Sequence, residues 1–183
     1  MKKMIKTAIA TAITALSFNA HAEGIAASPF TYLEYSMGNI EYDGAPSEYD
    51  GDYSALSGSI ELPMLLIPIL SAELIDFDDS NITKLGAGSY LQFGGATHLY
   101  GLIHYNDYEA DVDNDFSLTV SLRHAVTESL YVSGSWIEYT DQDSLDGIKL
   151  SVGYYFHPNF SVSANYAALD SLDILSIGAR VSF

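Results

Sequence analysis

Asp111, Asp113 and Asp115 stand at alternate positions, and oxygen ligands so spaced suit a hard divalent cation. Continuing the calcium-loop template, the sixth position is Phe116, where a glycine must turn the chain. The twelfth is Leu122, where a bidentate glutamate must close the site. The set is therefore not an EF-hand. The reading is a solvated acidic loop, with weak Ca²⁺ or Mg²⁺ binding as the only metal chemistry its oxygens suit. His98 and His104 share one face of a strand but lie six residues apart, about 20 Å at the usual rise, too far to share a ligand. Ser121 and His124 fall on opposite faces of a strand and cannot form a nucleophile–base pair. Cysteine is absent, which excludes thiolate metal sites, a thiol nucleophile and disulfides. No catalytic residue is assigned, no cofactor is expected, and the expectation is a protein that is not an enzyme.

The N-terminus is expected to be removed. Lys2, Lys3 and Lys6 precede a short apolar stretch, Ile9 to Phe18, and a small-x-small site at Ala20-His21-Ala22. This order reads as a cleaved signal peptide over 1–22, leaving one domain over 23–183. That domain keeps four basic side chains, Lys84, Arg123, Lys149 and Arg180, against 24 acidic ones, a formal charge of −20. Nucleic acid is excluded as a partner, because phosphate contacts need Lys and Arg. No later stretch is long and apolar enough for a transmembrane helix, so a membrane could be crossed only by a closed barrel.

The elements that must position these residues are strands. Ten segments alternate apolar and polar residues: 30–41, 53–62, 69–77, 82–93, 97–106, 116–125, 130–140, 148–157, 160–168 and 174–183. Each is near the ~9–11 residues that a tilted strand needs to cross a bilayer. In the last segment Leu175, Ile177, Ala179, Val181 and Phe183 take one face, and Ser176, Gly178, Arg180 and Ser182 the other. Adjacent apolar residues at Trp136 and Ile137 leave the phase of the seventh segment open. Pro63 and Pro68 mark a turn, since proline belongs at strand ends. Even-numbered connections are short and odd-numbered ones longer; 18 of the 24 acidic residues lie in or beside the odd ones. That asymmetry, with an even strand count, suits an outer-membrane barrel. The expected fold is all-β: a closed antiparallel up-and-down transmembrane β-barrel of ten strands, with eight as the alternative.

These features resemble the small outer-membrane β-barrel proteins of Gram-negative bacteria, in particular short porin-like barrels of about ten strands. The resemblance implies residence in the cell outer membrane, with periplasmic termini and acidic loops outside. It implies outer-membrane lipid and lipopolysaccharide as surroundings, whose phosphates divalent cations on the acidic rim could bridge. It further implies an assembly signal at Ile177, Ala179, Val181 and Phe183, read by the barrel-assembly machinery. The resemblance suggests a non-catalytic role in envelope structure, surface interaction or restricted passage of small solutes. The alternatives are a solute-specific narrow porin and, below it, a barrel enzyme acting on lipid A or peptides. His124 lacks the nearby His-x-Ser pattern of lipid A deacylase barrels, and no Asp-His set matches the barrel proteases.

With apolar residues turned to lipid, all four basic side chains of 23–183 face inward, together with Glu34, Glu61 and Glu73. Isolated buried charge is costly, so an internal ion-pair cluster of Glu34, Glu61, Glu73, Arg123 and Arg180 is expected to obstruct the lumen. Closure of the barrel places Arg180 beside Glu34. The alternative is a narrow pore with hydrated charges. Tyr32, Tyr35, Tyr42, Tyr105, Tyr139, Tyr154 and Tyr166 lie near strand ends and are expected at the membrane–water interface. Tyr42, Tyr49 and Tyr53 could alternatively form an aromatic platform for carbohydrate.

Overall fold

A computed structural model describes residues 29–42, 51–63, 68–77, 80–109 and 113–183. The expected signal peptide, Asp43, Glu48, Tyr49, Asp50, Asp78, Asp79 and Asp111 lie outside them. Ten strands follow one another: β1 Tyr32–Tyr42, β2 Gly51–Glu61, β3 Ile69–Phe77, β4 Ser80–Phe93, β5 Thr97–Tyr108, β6 Asp115–Ala125, β7 Leu130–Tyr139, β8 Gly147–His157, β9 Phe160–Leu169 and β10 Leu172–Ser182. Each pairs antiparallel with its sequence neighbours, and β10 returns to pair with β1, closing the barrel. Ten strands, not eight, form the wall.

Period-2 patterning turns the outer face apolar, with Leu175 and Ile177 exposed by 65% and 64%. Tyr35, Met37, Leu85, Ile103, Leu118, Leu150 and Trp136 join them on this surface. Such a belt is unsuited to water and suits hydrocarbon. Trp136 faces out and Ile137 in, which settles the phase of β7. Gly94 and Gly95 carry positive φ values of 59° and 77° and make the tight β4–β5 turn, a backbone shape that glycine adopts without steric cost.

One end of the barrel carries the β2–β3, β4–β5, β6–β7 and β8–β9 turns; the opposite end carries the other connections. The expected contrast in length is incomplete. The β3–β4 and β9–β10 connections comprise only two residues each, because β4, β9 and β10 run beyond the segments expected from alternation. Asp173 consequently lies within a strand, as Asp76 does in β3. The β7–β8 connection holds a short 3-10 turn, Asp143–Leu145. At the other end Phe30 is not part of β1, which begins at Tyr32. Thr31 is held there instead: its carbonyl accepts from the Phe183 N–H at 3.1 Å, and its Oγ1 from the Glu61 N–H at 3.0 Å.

Candidate functional site: the barrel lumen

The inward faces of the ten strands fill the barrel in three tiers. At the short-turn end the tier is aromatic and charged. Phe30, 4% exposed, turns into the mouth. It stacks on Tyr90 with ring centroids 4.5 Å apart, and meets Tyr100 and His98 edge-on at 5.3 and 5.6 Å. The Tyr90 hydroxyl donates to Glu61. Arg123 donates from Nη2 to the Tyr155 hydroxyl at 2.9 Å and lies 3.7 Å from the Tyr131 ring centroid. Gly153, opposite Tyr131 on β8, makes room for this ring; a Cβ there would overlap it.

The middle tier is polar. Arg180 Nε donates to Glu34 Oε2 at 2.6 Å, and the two side chains are only 13% and 9% exposed. The guanidinium also sits 3.8 Å from the Tyr32 ring centroid, and Ser36 donates to Glu34 at 3.3 Å. Lys84, the cross-strand neighbour of Glu73, donates to the Tyr139 hydroxyl at 2.9 Å. Tyr32 and Tyr139 therefore belong to the lumen, not to an interfacial girdle: they share strand phase with Glu34 and Ser135, and their rings partner cations. Tyr35, Tyr105, Tyr154 and Tyr166 do face outward, whereas Tyr42, in the strand phase of Glu34 and Ile40, lies exposed at the end of β1.

The third tier, under the longer connections, is apolar. Ile40, Tyr53, Ala55, Ile75, Ile82, Ala167, Leu172 and Ile174 pack together inside the barrel, with Phe77, Tyr108, Leu145 and Leu169 against them. Tyr53 is thus a core residue and is not available to a surface platform. Assigning every apolar side chain to lipid misses this tier. Its signal was a run of isoleucines in the polar phase of their strands, Ile40 with Ser36 and Ile174 with Ser176.

The five charged residues expected to cluster are distributed over two tiers. Arg180 and Glu34 pair directly; Arg123 and Glu61 occupy the mouth with tyrosine partners; Glu73 stands across the lumen wall with Lys84. Tyrosines in the same strand phase take bonds that a carboxylate would otherwise make, a feature that alternation alone does not resolve.

Asp115 also faces inward, where its Oδ1 accepts from Asn106 Nδ2 at 2.7 Å and from the Tyr108 hydroxyl at 3.0 Å. Asp113 is exposed. Among the described residues no three His, Asp or Glu side chains converge as metal ligands. Ser121 Oγ donates to Ser135 Oγ at 2.8 Å, while exposed His124 meets Thr97 through Nδ1 at 2.8 Å. Ile177, Ala179 and Val181 form an outward row on β10, ahead of Phe183.

Two voids remain. A polar chamber of about 150 Å³ lies between Phe30 and the middle tier. A second void of about 70 Å³ lies among the side chains of the apolar tier. Glu73, Lys149 and Asn165 line both and so mark the waist between them.

No protein-family model and no curated protein matches this sequence. Among solved structures, the barrel is similar to KdgM porin, with 15% identity over 84% of this chain and 99% of that one, at a TM-score of 0.51. KdgM porin in complex with disordered oligogalacturonate gives 14% identity, the same coverages and a TM-score of 0.53. Outer membrane phospholipase A from Escherichia coli gives 11% identity over 93% of this chain and 97% of that one, at a TM-score of 0.44. At such identities the likeness to KdgM is one of fold: this chain is a ten-stranded barrel of the outer-membrane type.

Proposed function

We propose that this protein is an integral outer-membrane barrel whose lumen is closed at rest, with a non-catalytic role exercised mainly at the cell surface. The observation that carries this reading is the succession of seals along the axis. Phe30 stops the short-turn mouth, the Arg180–Glu34 pair on adjacent strands narrows the middle tier from one side, and twelve side chains pack into the opposite end. A ten-stranded barrel is only slightly wider than an eight-stranded one, whose interior side chains suffice to fill it. In this reading the outer belt meets lipid and lipopolysaccharide, the termini face the periplasm and the acidic connections face outward. The outward row ending at Phe183 is what the barrel-assembly machinery engages.

A narrow solute-specific porin is the second reading, favoured by the polar chamber and by the fold shared with KdgM. The chamber as it stands, about 150 Å³, has no room for an oligosaccharide. Single-channel recording of the refolded protein in planar bilayers separates the two. The closed reading expects no steady conductance; a long-lived open level in the unaltered protein would overturn it and favour the porin.

A further inference from the structure

We infer that the waist of the lumen is a binding site for a small zwitterion, of the size and charge layout of a simple α-amino acid. This rests on the reading of the lumen as a chamber and adds what the chamber takes.

Five charged side chains line the chamber: Glu34, Glu73, Arg123, Lys149 and Arg180. Three are satisfied by the protein. Arg180 and Glu34 hold each other, and Arg123 has the Tyr155 hydroxyl and the Tyr131 face. Glu73 and Lys149 differ: among the described residues neither makes a hydrogen bond or ion pair within 4.0 Å, although both are partly buried. Lys84, the cation beside Glu73 on the wall, is committed to Tyr139.

Their placement is as informative as their lack of a directly bonded partner. Glu73 is on β3 and Lys149 on β8, five strands apart whichever way the wall is followed, so they face each other across the full lumen. A carboxylate on one wall and an ammonium on the other match a ligand that carries both charges in the opposite order. The ligand's ammonium goes to Glu73 and its carboxylate to Lys149.

His104 belongs to the same wall. His104 lines the chamber and is 7% exposed, with Nε2 beside Ser71 Oγ at 3.3 Å. Its Nδ1 is buried with no partner in the described structure. The volume sets the ligand's size. About 150 Å³ is the space of roughly five waters at ~30 Å³ each, which suits a molecule with as many heavy atoms as glycine.

The test uses the full barrel refolded in detergent, with glycine as probe and acetate, methylammonium and glycerol as controls. Binding is followed by calorimetry in the unaltered protein and in Phe30→Ala, whose mouth is open. Glycine is expected to bind Phe30→Ala, and each control to bind at least tenfold more weakly. Lys149→Met and Glu73→Gln, each made in that background, are expected to weaken glycine binding by about tenfold to a hundredfold, the loss of one charged contact. Both should keep the heat-modifiable gel mobility of the folded barrel, since neither removes a hydrogen bond or a direct ion pair from another charge. Acetate binding as well as glycine would overturn the proposal in favour of a plain anion site. Absence of glycine binding to folded Phe30→Ala would overturn it in favour of a water-filled chamber. Conductance of the unaltered protein tests the closed lumen separately, so failure of one reading is distinguishable from failure of the other.

Discussion

Replacing Arg180 by methionine tests the middle tier most directly. The substitution keeps an unbranched side chain of similar reach and removes the guanidinium that donates to Glu34 at 2.6 Å. The Glu34 carboxylate, 9% exposed, then retains only the Ser36 hydroxyl at 3.3 Å as a bonded donor. Stranding one member of a buried pair costs about 3–5 kcal/mol. The carboxyl has one escape, taking up a proton. From an ordinary pKa near 4.3, this costs about 4 kcal/mol at pH 7 and about 1 kcal/mol at pH 5. The expected loss is therefore about 3–4 kcal/mol at pH 7, shrinking to about 1 kcal/mol at pH 5 as the variant's carboxyl is neutralised. Glu34→Gln added to Arg180→Met should recover most of the pH 7 loss, because a neutral amide leaves no charge behind. Urea unfolding in lipid vesicles measures this, with the single tryptophan, Trp136, as a reporter on the lipid face. A loss of less than about 1 kcal/mol at pH 7, or a loss that does not change down to pH 5, would refute the reasoning. Such a result would mean that water already reaches the pair.

Other tiers have their own signatures. Phe30→Ala removes the ring that stops the mouth, and bilayer recording should show more frequent or longer openings than in the unaltered protein; identical traces would place the barrier elsewhere. Ile40→Ala hollows the apolar tier at a side chain with no exposed surface, and should cost about 2–5 kcal/mol in urea unfolding without raising conductance to that of a general pore. On the opposite face, Ile103→Arg places a charge in the lipid belt and should cost about 2–4 kcal/mol if that residue lies near the midplane. Gly153→Val should displace the Tyr131 ring and unseat Arg123, at about 1–3 kcal/mol, visible as a lowered melting temperature; an unchanged one would show that the ring has room to move.

Strand phase carried most of the fold. Glu34, Lys84, Arg123, Lys149 and Arg180 all fall inward where alternation puts them, because a charge facing lipid is penalised and the period of a strand admits no compromise. Alternation does not say what an inward residue touches. Arg180 with Glu34 followed from closure of the wall, but Arg123 with Tyr155 and Lys84 with Tyr139 depend on how tilted strands bring distant rungs to one height. Tyr32 and Tyr139 were misplaced because tyrosine near a strand end is equally at home at a membrane surface and over a buried cation. The apolar tier was hidden by a rule that sends apolar residues to lipid; Ile75 and Ile82 obey their strand's phase and break that rule. Phe30 differs for another reason. Alternation makes it the first residue of the segment 30–41, but it lies just before the strand begins and turns into the mouth, a contact that periodicity does not specify.

The Arg180–Glu34 bond also spans the one ladder that joins the chain's first and last strands. Every other ladder connects strands adjacent in sequence, so a short connection limits how far they can slide; β1 and β10 have no such tether. A slip of two residues keeps all inward faces inward and so escapes the penalty of inverted patterning. It would, however, leave Arg180 opposite Tyr32 or Ser36 and Glu34 opposite Gly178 or Ser182, two charges enclosed without each other. One ion pair at the seam thus distinguishes the correctly closed cylinder from its nearest misaligned relatives, at the last step of assembly.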